Sequence, residues 1–119
     1  MSHLISLATA EQMTARYRNN RETILASGYK DQNILAISET YGKDDFEDLI
    51  NTDGCASVRI YYGMDENLKV HAIVVAVNAN NEDILPESNV NNLEEDPIII
   101  DNGIRCPELC GAPSPLNPE

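Results

Sequence analysis

There is no tryptophan in this chain, and Phe46 is its single phenylalanine. With aromatics so scarce, aliphatic side chains must build the core, and an aromatic anchor at a binding surface has to be one of the five tyrosines. Basic residues are few as well: eight Lys and Arg stand against twenty Asp and Glu, a net charge of −12. Affinity for nucleic acid comes largely from Lys and Arg displacing phosphate counterions, so this balance argues against nucleic acid and anionic lipid and favours a basic partner. Long apolar runs are missing too. The longest is Ala72–Val77, far short of the roughly 20 residues that span a bilayer. Near the N-terminus Leu4, Ile5 and Leu7 give way to Thr9, Glu11 and Gln12 with no basic stretch before them, unlike a secretory leader. Three cysteines, an odd number, suit a reducing compartment. The expectation is a cytoplasmic protein without a membrane anchor.

At 119 residues the chain is expected to form a single domain over residues 1–119, with an irregular tail at 106–119. A chain of this size buries roughly 65% of its extended surface, enough for a core without disulfides or a structural metal. Charge is uneven: residues 1–59 carry −3 and residues 60–119 carry −9.

The residue pattern predicts an α+β fold, with an N-terminal helix and a short second helix packed on a small, mainly antiparallel sheet of three or four strands. Ser6 or Thr9 caps the first helix, Gly28 marks its far end, and Ala10, Met13, Tyr17 and Ile24 repeat at helical spacing. Arg16, Arg18 and Arg21 lie off that stripe and read as a solvated face, with an anion-binding patch as the alternative. Ile34–Thr40 reads as a short strand. Lys43–Asn51 reads as the second helix, with Asp44 and Asp45 at its positive end and Phe46, Leu49 and Ile50 on its apolar face.

The strongest pattern is a hairpin. Ala56–Tyr62 and Leu68–Val77 are β-branched segments separated by the turn-forming Gly63–Asn67. Ala56, Val58, Ile60 and Tyr62 share one face, as do Leu68, Val70, Ala72, Val74 and Ala76, and the two sets meet only if paired residue numbers sum to an even value. Pairing Tyr62 with Leu68 sets Arg59 opposite His71 and Tyr61 opposite Lys69. The later half of the second strand, apolar on both faces, is expected to be central and covered. Asn78–Asp83 reads as a turn without the glycine and terminal glutamate of a calcium loop. Residues 84–96 read as an acidic loop, Pro97–Asp101 as an edge strand, and the proline-rich end as ordered only where it docks.

Asp53-Gly54-Cys55, the segment Val58–Gly63, the strand Ile73–Val77, the ending Arg105-Cys106-Pro107-Glu108-Leu109-Cys110 and Ser114–Asn117 occur in that order. In these features the chain resembles a group of small uncharacterised bacterial proteins with a helix, a cysteine before an R-I-Y-Y-G strand and a C-terminal C-P-x-x-C. The resemblance covers roughly residues 43–117. It supports the architecture, draws attention to the cysteines and implies no activity.

Two constellations are candidates for chemistry. With Pro107 as the first residue of a helical turn, Cys106 and Cys110 share a face with Cβ atoms about 5–6 Å apart. A disulfide needs nearer to about 3.8 Å, so a regular turn disfavours the disulfide and a distorted loop could close it. The spacing suits two zinc thiolates, with Cys55 as a third ligand and water as a fourth; a thiol-redox pair and buried inert thiols are the other readings. His71 is excluded from that zinc site, since about four residues of strand, roughly 13 Å, separate it from Cys55. Arg59, Tyr61 and His71 form the second cluster, able to bind an anion or move a proton, or else to serve as cross-strand polar pairs. No nucleophile motif, phosphate-binding loop or dinucleotide fingerprint is present. The sequence therefore reads as a non-enzymatic interaction module that offers an acidic surface to a basic protein. A zinc or thiol-redox protein is the alternative, and the oligomeric state is open.

Overall fold

The computed structural model describes residues 3–86 and 97–118. Along the chain run α1 (Leu7–Asn20), a 3-10 turn (Ser27–Tyr29), β1 (Ser38–Thr40), α2 (Lys43–Ile50), β2 (Ser57–Met64), β3 (Val70–Val77), β4 (Asp83–Ile84) and β5 (Ile104–Cys106). The strands make two small antiparallel sheets, β1–β5 and β2–β3–β4, so the fold is α+β. The expected acidic loop falls largely on residues 87–96, outside the described residues. Two compact units divide the chain: Met1–Ser38 with Arg105–Glu119, and Glu39–Ile104.

In the first unit Ser6 caps α1, its hydroxyl accepting from the Thr9 N–H at 3.1 Å. The helix stops at Asn20, well before Gly28, and none of its residues is fully buried. The expected stripe does not seat it: Met13 and Ile24 are mostly exposed. Polar anchors hold this region instead. The carbonyls of residues 33 to 36 each accept a side-chain donor: Asn33 and Ile34 from Arg105 at 2.6 and 3.3 Å, Leu35 from Arg21 at 2.7 Å, and Ala36 from the Tyr17 hydroxyl. Those bonds replace a sheet ladder, which is why Ile34–Ile37 is not a strand and β1 begins only at Ser38. Arg18 likewise donates to the Leu116 carbonyl. Arg18 and Arg21 are thus structural clasps rather than a solvated face.

The second unit holds an apolar core of Leu49, Val74, Ala76 and Ile100, with Tyr41, Phe46, Cys55, Ile84 and Ile98 packed against it. Full burial of Leu49, Val74 and Ile100 contributes about 1.5–3 kcal/mol each. Asp44 and Asp45 lie in the first turn of α2, and Leu49 is its fully buried residue. Ile50, expected on the same face, is exposed.

The β2–β3 register runs from Ser57↔Val77 to Met64↔Val70. Every pair sums to an even number, so Val58 and Val74 share a face as expected. The offset differs, however: Arg59 lies opposite Val75, and His71 opposite Gly63. The turn is not built on Gly63. Asp65 Oδ1 accepts from the N–H groups of Asn67 (2.8 Å) and Lys69 (3.0 Å), and Leu68 takes a left-handed φ of 66°. Gly63 lies inside the strand, opposite His71, where a Cβ would sit 2.6 Å from Ile73 Cδ1. β3 is central, and Val74–Val77 is buried on both faces, as its composition predicts. Pro97–Asp101 is not a strand; Ile100 alone bridges to Val74, with N–H···O distances of 2.9 and 3.0 Å. The Asn78–Asp83 turn forms, and its last residue opens β4.

Candidate functional site

β2 and β4 bring Arg59 and Tyr61 together, on Asp83. The guanidinium meets Asp83 Oδ1 at 2.6 Å and also reaches the carbonyl and side-chain oxygens of Asn81, while the Tyr61 hydroxyl donates to Asp83 Oδ2. The Tyr61 hydroxyl, and after it the Asp83 carboxylate, holds the Arg59 pKa above its ordinary value despite partial desolvation. Both oxygens of Asp83 are therefore engaged, and the Arg59 charge is already matched.

His71 is not part of that group, being set off from Arg59 by four residues of strand register, roughly 13 Å. It lies between two carboxylates, with Nε2 2.9 Å from Asp65 Oδ2 and Nδ1 3.1 Å from Asp101 Oδ1. Carboxylates only accept, so both bonds are made when both ring nitrogens carry protons. The His71 bond, helped by the Lys69 and Asn67 N–H groups, lowers the Asp65 pKa below 3.8. The histidine ties the hairpin turn to the segment following Ile100.

A third polar group was not anticipated. Glu39 Oε2 accepts from the Ala72 N–H at 2.8 Å and lies 3.0 Å from the Tyr41 hydroxyl, which also reaches the Ala72 carbonyl. Gly103 makes room for this tyrosine, since a Cβ there would be 2.7 Å from the ring. The only sequence signal was the alternation Glu39, Tyr41, which sets both on one face of an extended segment.

Cys106 and Cys110 form a disulfide, with Cα atoms 4.7 Å apart. Pro107 and Glu108 make a tight turn rather than a helical one, which brings the two cysteines within disulfide range. So joined, they offer no thiolate to zinc. Cys55 is a free thiol in the other unit, its Sγ 3.3 Å from the Ser57 carbonyl oxygen. Among the described residues no three His, Cys, Asp or Glu side chains are arranged to hold a metal ion.

An open cleft of about 430 Å³ lies beside α2, lined by Asp45, Ile98, Ile99, Ile100, Asp101 and Asn102. Isoleucines supply its apolar lining and two aspartates its charge. Close by, Asp44, Glu47 and Asp48 of α2 are exposed. No helix is long and apolar enough to cross a membrane among the described residues. The chain matches no protein family, and neither a curated protein nor a solved structure is significantly similar to it.

Proposed function

We propose that this protein is a non-enzymatic interaction module whose acidic surface receives a basic protein segment. The observation that carries the reading is the cleft beside α2: its isoleucines suit the aliphatic stem of a Lys or Arg, and Asp45 and Asp101 suit the cationic head. The net charge of −12, with Asp44, Glu47 and Asp48 exposed on α2, would attract such a segment. The side chains best suited to chemistry are engaged with one another, Arg59 and Tyr61 on Asp83 and His71 on Asp65 and Asp101. An NMR titration with hexalysine tests the reading. Shifts should centre on Asp45 and Ile98–Asn102, affinity should fall steeply toward about 0.5 M salt, and Asp45→Lys should weaken binding roughly tenfold. Uniform shifts over the whole acidic surface, indifferent to Asp45→Lys, would remove the cleft from the proposal.

A second reading rests on the disulfide. Cys110 is exposed while Cys106 is buried, so a thiolate from solution can attack the Cys110 sulfur and release Cys106. Equilibration with glutathione buffers tests it: a pair half-reduced within the glutathione range would support thiol exchange, and one that resists reduction there is structural.

A further inference from the structure

The two edges of the three-stranded sheet are finished differently. Val74 exchanges both main-chain bonds with Ile100, on the side away from β2. The Ile60–Val74 pair is therefore a non-hydrogen-bonded one, and the N–H and C=O of Ile60 point away from β3. Asp65, whose N–H bonds the Lys69 carbonyl at 3.0 Å, confirms that odd-numbered residues make the β2–β3 ladder. By alternation Val58, Tyr62 and Met64 also direct their main-chain groups outward, and among the described residues no strand pairs with them. These same four residues carry apolar side chains on one face, exposed to 41% (Val58), 53% (Ile60), 81% (Tyr62) and 60% (Met64). Natural edge strands are usually blunted by lysine, proline, a bulge or brevity. β2 has eight residues, no proline and an unbroken register, and its one charged side chain, Arg59, is held by Asp83.

We infer that β2 is a dimerisation strand, which pairs antiparallel with β2 of a second copy of this chain to make one six-stranded sheet. The occupant follows from self-complementarity. A two-fold axis perpendicular to the sheet at Tyr61 sets Val58 opposite the second copy's Met64 and Ile60 opposite its Tyr62. All four outward-pointing residues of each strand then enter hydrogen-bonded pairs, and their side chains merge into one apolar stripe on one face. On the reverse face Tyr61 meets its own copy and Arg59 meets Gly63, so no like charges are opposed. β2 also lacks any carboxylate, in a chain that carries twenty; two copies of a −12 protein can approach along this strand without setting acid against acid. Unlike the binding of a basic segment, this association works against net repulsion and must strengthen as salt rises. The two proposals therefore fail separately.

Sedimentation equilibrium of the full chain at low and high salt is the test. Wild type should show a monomer–dimer equilibrium that shifts toward dimer with added salt. Tyr62→Lys and Ile60→Lys, at exposed outer-edge positions, should each weaken it roughly tenfold or more, with the circular dichroism spectrum unchanged, whereas Tyr62→Phe should leave it intact. A wild-type protein that stays monomeric at high salt overturns the inference, even if its edge takes up an extended peptide of another protein. So does a dimer indifferent to both lysine variants.

Discussion

The edge of β3 away from β2 and the outer edge of β2 belong to one sheet, yet among the described residues one is saturated and the other pairs with no strand. Away from β2, Ala72 is met by the Glu39 carboxylate and the Tyr41 hydroxyl, Val74 by the main chain of Ile100, and Ala76 by Ile84 of β4. Three different devices complete that edge, and behind it lies the apolar core. At the outer edge of β2, the corresponding groups of Val58, Ile60, Tyr62 and Met64 meet no strand among the described residues. The difference teaches where stability and where association reside: substitutions on the saturated side should act on folding, and those on the bare side on self-association. Hydrogen exchange should show the same division in monomeric protein, with slow amides at Val74 and Ala76 and fast ones at Ile60 and Tyr62.

The comparison breaks most severely through Leu49, the fully buried residue of α2 that packs on Val74 and Ala76. Leu49→Ala should cost about 3 kcal/mol through lost burial and the cavity left behind, read from chemical denaturation. A loss below about 1 kcal/mol would mean that α2 does not anchor this side. Next comes Glu39→Ala, which leaves the half-buried Ala72 N–H without its carboxylate; an unsatisfied donor costs up to about 1–3 kcal/mol when buried. Tyr41→Phe should cost less, about 1 kcal/mol, because the hydroxyl bond is lost while the ring stays against Phe46 at 5.7 Å between centroids.

How much of this was legible in the sequence depends on whether local chemistry or distant partners decide. The alternation in Val58–Tyr62 and Val70–Val77 fixes which residues share a face, because a one-residue slip would expose an apolar set, and the structure keeps that parity. It does not fix the offset. A glycine between two β-branched runs reads as a turn, yet Gly63 continues the strand opposite His71, and Asp65 makes the turn instead. That displacement is what separates Arg59 from His71 and delivers Arg59 to Asp83, a partner twenty-four residues away. The Ile34–Ile37 run departs from its local pattern for a related reason. Its composition suits a strand, but its carbonyls go to Arg105, Arg21 and Tyr17, and donors so distant leave no local pattern. Likewise the spacing of Cys106 and Cys110 suits a helical turn, but Pro107 and Glu108 form a tight turn that brings Cys110 within bonding range.

A smaller effect sharpens the comparison at the hairpin turn, whose position decides which residues of β2 face outward. The Asp65 pKa is lowered in the folded chain by the His71 bond and by the Lys69 and Asn67 N–H groups. A depressed carboxylate pKa contributes stability that is fully present above its unfolded value, near 3.8, and is lost as pH falls through the folded value. The facing groups are His71 and, beyond it, Asp101. Asp65→Asn should therefore lower the melting temperature at pH 6 and converge on wild type well below about pH 4. The absence of a gap at pH 6 would assign the turn to its shape alone, which asparagine also supports.

The smallest effect is the most discriminating. Tyr62 is the most exposed of the outer-edge residues, and neither its side chain nor its main chain is used by the β2–β3 ladder. In dilute, low-salt protein, Tyr62→Ala should change unfolding free energy by no more than about 0.5 kcal/mol, as surface substitutions do. At high salt and high concentration the same variant should lose the extra stability that dimerisation lends to the wild type, since mass action stabilises whatever only the folded state can bind. Denaturation midpoints at two protein concentrations measure both quantities. A Tyr62→Ala protein destabilised equally at both would place the tyrosine inside the folded monomer, and the two edges would no longer differ in kind.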